Sequence, residues 1–435
     1  MDRRSFITNL TASAAALGIA PMAWAMGQKQ DGTDYGTHKA SGTVITKLAG
    51  MSLQELKDYN YNDLMNGYLP NWDGTIRVDE KYGGFMPYLK EDGTHVDTIK
   101  RMYYQGRGIW VFSYLYNHFG KEERFRKAAK KGIDFIFKHC RDENGYWLSE
   151  VTREGEYLRP SENIYGDMYV ALGLGEYYDG TGDEEAKEVA IETAFKVMER
   201  IVSPEYMHLG GHGSGHEPGY KRLGTWQHFL SALTPLSRQT DDYGITMIGR
   251  MCVRNILERH WRPELGIAFE HLDDQFKPFR PDPITNHRVI SGWHSVQAAW
   301  MVMNESLRTG HRDNFMAAME MGRIMLKKCW YDDGKEKGLT SLANPEAKPQ
   351  LPSGGYTAWG ALDDAMVFTL LSIEHTQAPW AVDWFNEVFT WAYSHPERMI
   401  REGLLHHPRR LFFLDQILQR MIARGGKVSN FLEKA

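Results

Sequence analysis

Arg141-Asp142-Glu143-Asn144-Gly145-Tyr146-Trp147 is a charged turn closed by a glycine and followed by a short apolar run. The same pattern recurs along the chain. Asp79-Glu80-Lys81-Tyr82-Gly83-Gly84-Phe85-Met86 and Arg262-Pro263-Glu264-Leu265-Gly266-Ile267-Ala268 repeat it, and Gly210, Gly338 and Gly403 have similar surroundings. From Gly84 onward the spacings are 61, 65, 56, 72 and 65 residues. A period near 60 residues holds two helices of about 15–20 residues and two loops, which is a helical hairpin. Between the glycines, apolar residues recur at helical spacing. Ile99, Met102, Tyr103, Trp110, Phe112, Tyr114 and Leu115 form one such stretch; Val289, Trp293, Val296, Ala299, Trp300 and Met303 form another. Strand-like segments are few, short and placed after the glycines. Six hairpins use up the chain. Closed on themselves they make an all-α (α/α)6 toroid, with inner helices lining a cavity and the active site at its loop-bearing mouth. An open solenoid would carry fewer aromatics and atypical end repeats, so the closed ring is expected.

Composition removes several function classes. Of 435 residues, 42% are hydrophobic and the net charge is only −5, which excludes a disordered chain. No Lys/Arg run stands out, so no nucleic-acid surface is expected. Cys140, Cys252 and Cys329 are too scattered for a disulfide framework or a zinc site and read as small apolar residues.

The N-terminus reads as an export signal. Arg3-Arg4-Ser5-Phe6-Ile7 precedes an Ala-rich apolar run ending in Ala23-Trp24-Ala25, a pattern similar to the twin-arginine signal. Residues 1–25 are therefore expected as a leader, 26–50 as a flexible lead-in and 51–435 as one barrel domain. No later run of 18 apolar residues predicts a membrane span. The mature chain is expected to be periplasmic or secreted, as a monomer or homodimer, with the twin-arginine machinery as its export partner.

The 13 Trp and 17 His residues point to the cavity. Trp110, Trp226, Trp293, Trp300 and Trp359 fall on predicted inner helices, where ring faces can stack on sugar C–H faces; singly, each is better explained by core packing, and it is the set that points to a carbohydrate. His228, His294 and His407 fall near predicted inner-helix starts, and an imidazole exchanges protons readily at neutral pH. His208, His212 and His216 recur every four residues, but four glycines among nine residues oppose a helix. They read as a rim loop, with no metal expected.

Several segments resemble the N-acylglucosamine 2-epimerase family, which includes cellobiose 2-epimerases and aldose–ketose isomerases. They are Gly83-Gly84-Phe85, Glu91-Asp92-Gly93, Lys100, residues 105–113 (Gln-Gly-Arg-Gly-Ile-Trp-Val-Phe-Ser), residues 167–177 and Thr181-Gly182-Asp183. The similarity runs over nearly all of residues 60–420 and implies the same (α/α)6 barrel. It implies Arg107 as the active-site arginine, His294 and His407 as the catalytic pair, and His228, Trp359, Asp364 and Arg410 as further site residues. Gln297 stands where the family has the glutamate supporting the first histidine, and Ser231 and Thr225 replace the Glu and Asn around His228. An amide orients an imidazole without raising its basicity, so a weaker base is expected at His294.

The implied reaction removes the proton beside the carbonyl of an open-chain aldose and returns it, with two histidines, no metal and no nicotinamide. Arg107 would stabilise the oxyanion; Trp110, Trp226, Trp293 and Gln297 would line the substrate site. The alternatives are an exported glycoside hydrolase or polysaccharide lyase, for which Asp167, Asp363, Asp364 and Glu270 supply carboxylates without a distinguishing spacing, or a silent sugar binder.

Overall fold

The computed structural model describes residues 44–90, 92–162, 164–203, 221–273, 275–278, 290–342, 344–351, 359–395 and 404–433. The expected leader at 1–25, the His208/His212/His216 loop, Gly210 and Gly403 lie outside the described residues.

Among the described residues twelve α-helices follow one another: α1 (Leu53–Asn62), α2 (Met102–His118), α3 (Glu123–His139), α4 (Ile164–Thr181), α5 (Glu184–Val202), α6 (Leu223–Thr240), α7 (Tyr243–Arg254), α8 (Gly292–Thr309), α9 (Arg312–Cys329), α10 (Trp359–Thr376), α11 (Pro379–Ser394) and α12 (His406–Ala423). The even-numbered helices form the inner ring. Each packs on the next, α2 on α4, α4 on α6, α6 on α8, α8 on α10 and α10 on α12. The ring closes where Tyr114 of α2 stacks on Phe412 of α12, centroids 4.6 Å apart and 13° from parallel. Helix α1 covers α12, so the sixth hairpin is built from the two ends of the described residues. This is the expected (α/α)6 toroid.

Composition sorts the two layers. The inner helix α4 is buried on every side from Ile164 to Tyr177, which suits a helix with neighbours all round. The outer helix α3 buries a single stripe, including Phe125, Ala129, Ile133 and Ile136, and turns its charges outward. Starts and stops are equally local. Ser52 and Glu55 form a capping box on α1, Asp183 and Asp242 cap α5 and α7, and α8 ends at Gly310 in the left-handed region.

The glycine turns feed the mouth. Gly84, Gly145 and Gly266 have φ of +79°, +73° and +60°, which explains the residue type. Gly338 differs: it lies inside the strand Lys337–Leu339 and has no positive φ. Short antiparallel strands connect these turns to the inner helices. Lys100–Arg101 pairs with Glu150–Val151, Lys221–Arg222 with His271–Leu272, and Ile290–Ser291 with Ser341–Leu342. The first member of each pair runs directly into α2, α6 or α8, so the sheet fragments fix the helix N-termini.

One expectation is corrected at the N-terminal side. Residues 44–50, read as the end of a flexible lead-in, are paired and packed. Lys47–Leu48 and Met51–Ser52 form a hairpin around Ala49 and Gly50, both with positive φ. Leu48 is buried, and the Ile45 N–H donates to Gly426 O at 2.9 Å.

Glycine also sets the closest helix approach. A Cβ on Gly106 would lie 2.3 Å from the Tyr169 carbonyl carbon, and one on Gly173 would lie 2.6 Å from Gly106 O. Backbone cannot yield there as a side chain could. Gly106→Ala is therefore expected to lower stability by at least about 1–3 kcal/mol, the usual cost of overpacking. A denaturation midpoint equal to wild type would show that α2 and α4 can separate freely.

Candidate active site

The inner helices present their N-terminal turns at one end of the ring, and the ionisable side chains collect there. Ser291 Oγ accepts the His294 N–H at 3.2 Å, which starts α8 beside that histidine. His294 Nδ1 donates to Glu270 Oε1 at 2.8 Å, and Arg222 Nε donates to the same oxygen at 2.8 Å. Glu270 is 2% exposed. Burial alone would raise its carboxyl, but His294 and Arg222 outweigh that and hold it well below the usual range. Gly224 packs closely on this pair: a Cβ there would approach His294 Cε1 to 3.1 Å and Glu270 Oε1 to 3.4 Å, so the pair would have to shift by a few tenths of an ångström.

His228 stands edge-on to His294, centroids 5.9 Å apart. Its Nδ1–H donates to Gly224 O at 2.6 Å, leaving Nε2 as an acceptor. Burial, then the neighbouring His294, push its pKa well below the ordinary value, so the ring is neutral. Arg107 is buried between phenols. Its Nη2 donates to Tyr103 Oη and, at 2.8 Å, to Tyr169 Oη; its guanidinium lies 3.7 Å from the Tyr103 ring centre and 4.2 Å from that of Tyr169. No carboxylate among the described residues pairs with it, and its Nε has no partner there.

The second imidazole on this side of the ring is His406, not His407. His406 Nδ1 lies 3.2 Å from both Asp364 Oδ2 and Arg409 Nη2, donating to the carboxylate when the ring proton sits on Nδ1, and its ring meets Trp293 edge-on at 4.9 Å. Asp364 is buried and heavily bonded: Trp293 Nε1 (2.7 Å), Gln297 Nε2 (2.9 Å), Trp300 Nε1 (3.0 Å) and Arg409 Nη2 (2.7 Å) all donate to it. Burial would raise its carboxyl, yet Arg409 and His406 hold it well below the usual range. Desolvation lowers the His406 pKa to about 4 against the upward pull of Asp364, with Arg409 and Arg107 adding to the fall. Ring contacts link these groups at one end of the barrel: His228 meets His294, Trp293 lies 6.3 Å from His294 and 4.9 Å from His406, and Tyr169, bound to Arg107, meets His228 edge-on at 6.0 Å.

Three expected site residues lie elsewhere. His407 is buried on the α1 side, 3.5 Å from Asp363 Oδ1 and 3.8 Å from Asp63 Oδ2. Arg410, fully buried, donates to Asp363 Oδ1, Asn60 Oδ1 and Asp63 Oδ2 at 3.0, 3.1 and 3.3 Å. These two tie α12 to α10 and α1. Gln297 is fully buried between Asp364 and the Gln227 amide, which donates to it at 2.7 Å. It orients Asp364 and does not touch His294, so the weaker base expected from Gln297 is corrected: the carboxylate on His294 is Glu270.

The tryptophans divide likewise. Trp293 holds Asp364 and His406; Trp226 is buried with its indole N–H unpartnered among the described residues. Trp110 faces down the barrel from beneath Arg107, packed on Tyr114 and Phe412. Trp359 opens α10, but its side chain lies outside the described residues. Among the described residues no cluster of three or more His, Cys, Asp or Glu could hold a metal, and no helix is long and apolar enough to cross a membrane. The cysteines are free and buried, and desolvation pushes Cys140 and Cys329 up to about 12, in keeping with small apolar residues.

Neutral buried histidines make the fold acid-sensitive. His260, like His406, is lowered to about 4 by burial, and His228 is lowered as well. Each folded-state pKa lies below the unfolded value near 6.5, so the unfolded chain binds more protons between those limits. Stability then falls as pH drops from 6.5 toward 4, by about 1.4 kcal/mol per pH unit per group when the unfolded form is fully protonated. Urea midpoints at pH 7 and pH 5 measure this; equal midpoints would contradict it.

Comparison with known proteins gives a consistent picture. A family model described as N-acylglucosamine 2-epimerase matches residues 83–398. The cellobiose 2-epimerase of Dictyoglomus turgidum is 27% identical over 296 residues, 64% of this chain and 71% of that protein. The N-acylglucosamine 2-epimerase of Mus musculus is 24% identical over 382 residues, 80% and 88% of the two chains. Among solved structures, a cellobiose 2-epimerase from Bacillus thermoamylovorans superposes with a TM-score of 0.69 at 17% identity, covering 84% of this chain and all of that one.

Proposed function

This chain belongs to the N-acylglucosamine 2-epimerase family, and on that premise we propose that it is a carbohydrate 2-epimerase or aldose–ketose isomerase in which His294 and His406 exchange the proton beside the substrate carbonyl. One observation carries the reading. Each of these imidazoles sets Nδ1 within hydrogen-bond reach of a buried, ionised carboxylate, Glu270 or Asp364, and a proton held there leaves Nε2 free to take another. The carboxylate fixes the tautomer and steadies the imidazolium that forms during turnover.

The steps follow from the atoms available. In the open-chain aldose, Nε2 of one histidine takes the C2 proton and the C2–H electron pair moves into a cis-enediolate. Arg107, buried without a carboxylate partner among the described residues, supplies the positive charge that the developing oxyanion lacks. The converging inner-helix N-termini add their partial positive charge at the same end. His228 accepts a hydrogen bond from a substrate hydroxyl through Nε2. Reprotonation of C2 from the other face requires the opposite histidine to enter the cycle as the imidazolium. It then gives its Nε2 proton to C2, and the epimer leaves with the two histidines' protonation states exchanged. Return of the abstracted proton to C1 gives the ketose.

The carboxylates argue against a hydrolase. A glycosidase needs one acid protonated at working pH, whereas Glu270 and Asp364 are both held ionised by cations. Asp363 is bound to Arg410; Asp167, raised to about 7 by burial, can hold a proton but is tied to Arg200 of the outer helix α5 rather than to the histidine cluster. Incubation with reducing mono- and disaccharides in heavy water tests the proposal. Deuterium at C2 is the expected result; glycosidic cleavage without exchange identifies a hydrolase, and neither outcome leaves a binding protein. The export expected from Arg3 and Arg4 belongs to the same proposal. Changing both to lysine should retain the protein in the cytoplasm, and unaltered secretion would remove it.

A further inference from the structure

A second cavity of about 210 Å³ lies on the barrel axis below the histidines. Its roof is Arg409, Trp110 and Trp300, residues one or two turns beyond His406, Arg107 and His294 on the same helices. Arg409 separates the two spaces: it donates to Asp364 above and lies 4.9 Å from the Trp300 ring centre. The lower space is therefore lined by its own set of groups, at the C-terminal ends of the inner helices.

The geometry points to a second carbohydrate site there, for one neutral sugar ring. Three observations carry it. First, the walls combine aromatic rings with hydroxyl and carboxamide groups, which is the chemistry that sugars select: Tyr114 and Phe413 beside Thr234, Asn304 and Gln416. Second, Thr234 Oγ1 is buried on that wall and, among the described residues, has no hydrogen-bond partner. A buried hydroxyl left so is costly unless a ligand or water meets it. Third, most of the charged groups on these walls are already hydrogen-bonded or ion-paired inside the fold. Glu374 accepts from Arg420 at 2.8 and 2.7 Å. Asp364 holds Arg409, and Glu176 accepts from Asn117 (2.7 Å) and Gln239 (3.3 Å) with His118 3.3 Å away. Arg238 and Asp179, both lining the cavity, have opposite signs. An ion of either sign thus has less to gain than a polyol. The volume equals about seven waters at ~30 Å³ each, enough for a single ring.

The assignment is independent of the reaction proposed above and can be tested without turnover. The probe is methyl β-D-glucopyranoside, whose closed ring cannot form the open-chain carbonyl, titrated by calorimetry into the full chain. Saturable binding is expected, unchanged in His294→Ala and weakened about fivefold or more in Thr234→Val and in Asn304→Ala, the effect of losing one hydrogen bond. Both variants should keep deuterium exchange at C2, which reports an intact upper site. Absence of saturable binding would overturn the assignment. So would binding abolished by His294→Ala and indifferent to Thr234→Val and Asn304→Ala.

Discussion

His406→Ala is expected to lower C2 deuterium exchange by about 10²–10⁴-fold, the usual contribution of a positioned acid–base group. His407→Ala should leave exchange within a few-fold per folded molecule. The difference lies in one helical step. Adjacent residues on a helix point about 100° apart, so His406 reaches Trp293 and the cavity while His407 turns to Asp63 and Asp363. Removing His406 deletes one of two proton carriers and leaves Asp364 with its other four donors, so the fold survives. Removing His407 leaves the buried Asp363 and the part-buried Asp63 with one partner fewer and should cost about 1–3 kcal/mol in stability. Exchange rates and urea midpoints on both variants decide it. Loss of exchange in His407→Ala with retention in His406→Ala would reverse the assignment.

Glu270→Gln should lower kcat by at least about 100-fold with little change in KM. The amide N–H would donate to His294 Nδ1, forcing the ring proton onto Nε2 and removing the base. An analogous tautomer error in the serine-protease triad costs about 10⁴-fold. Gln297→Glu should not rescue it. Gln297 donates to Asp364 at 2.9 Å, and a carboxylate there would face another buried carboxylate. Gln297→Glu alone is expected to destabilise the fold. Full activity in Glu270→Gln, or restoration by Gln297→Glu, would show that His294 takes its support from its own helix after all.

The ring was legible because each of its determinants is local. A positive φ selects glycine at the turns of Gly84, Gly145 and Gly266, which recur at about one or two hairpin lengths. Helical periodicity between them then leaves little choice of architecture. Arg107, His228, His294 and Asp364 were legible as site residues for a related reason: each falls in the first two turns of an inner helix, which the ring brings to one end. Two features were not. Leu405-His406-His407-Pro408-Arg409-Arg410 carries a His–Arg pair at i, i+3 in two registers, and only packing against α1 and α10 decides which faces the cavity. Glu270 precedes His294 by 24 residues and meets it through a strand pairing, Arg222 with His271, that no local spacing reports. Gln297 was conspicuous in the sequence because a side chain was exchanged there; the group that meets His294 lies on another element.

A structure with an open-chain sugar alcohol bound in the upper cavity tests the two-histidine assignment most directly. The Nε2 atoms of His294 and His406 should lie about 3–3.5 Å from one carbon, on opposite faces, with Arg107 at the adjoining oxygen. A polyol whose C2 contacts one histidine alone, or whose chain sits beyond the reach of His406, would contradict it.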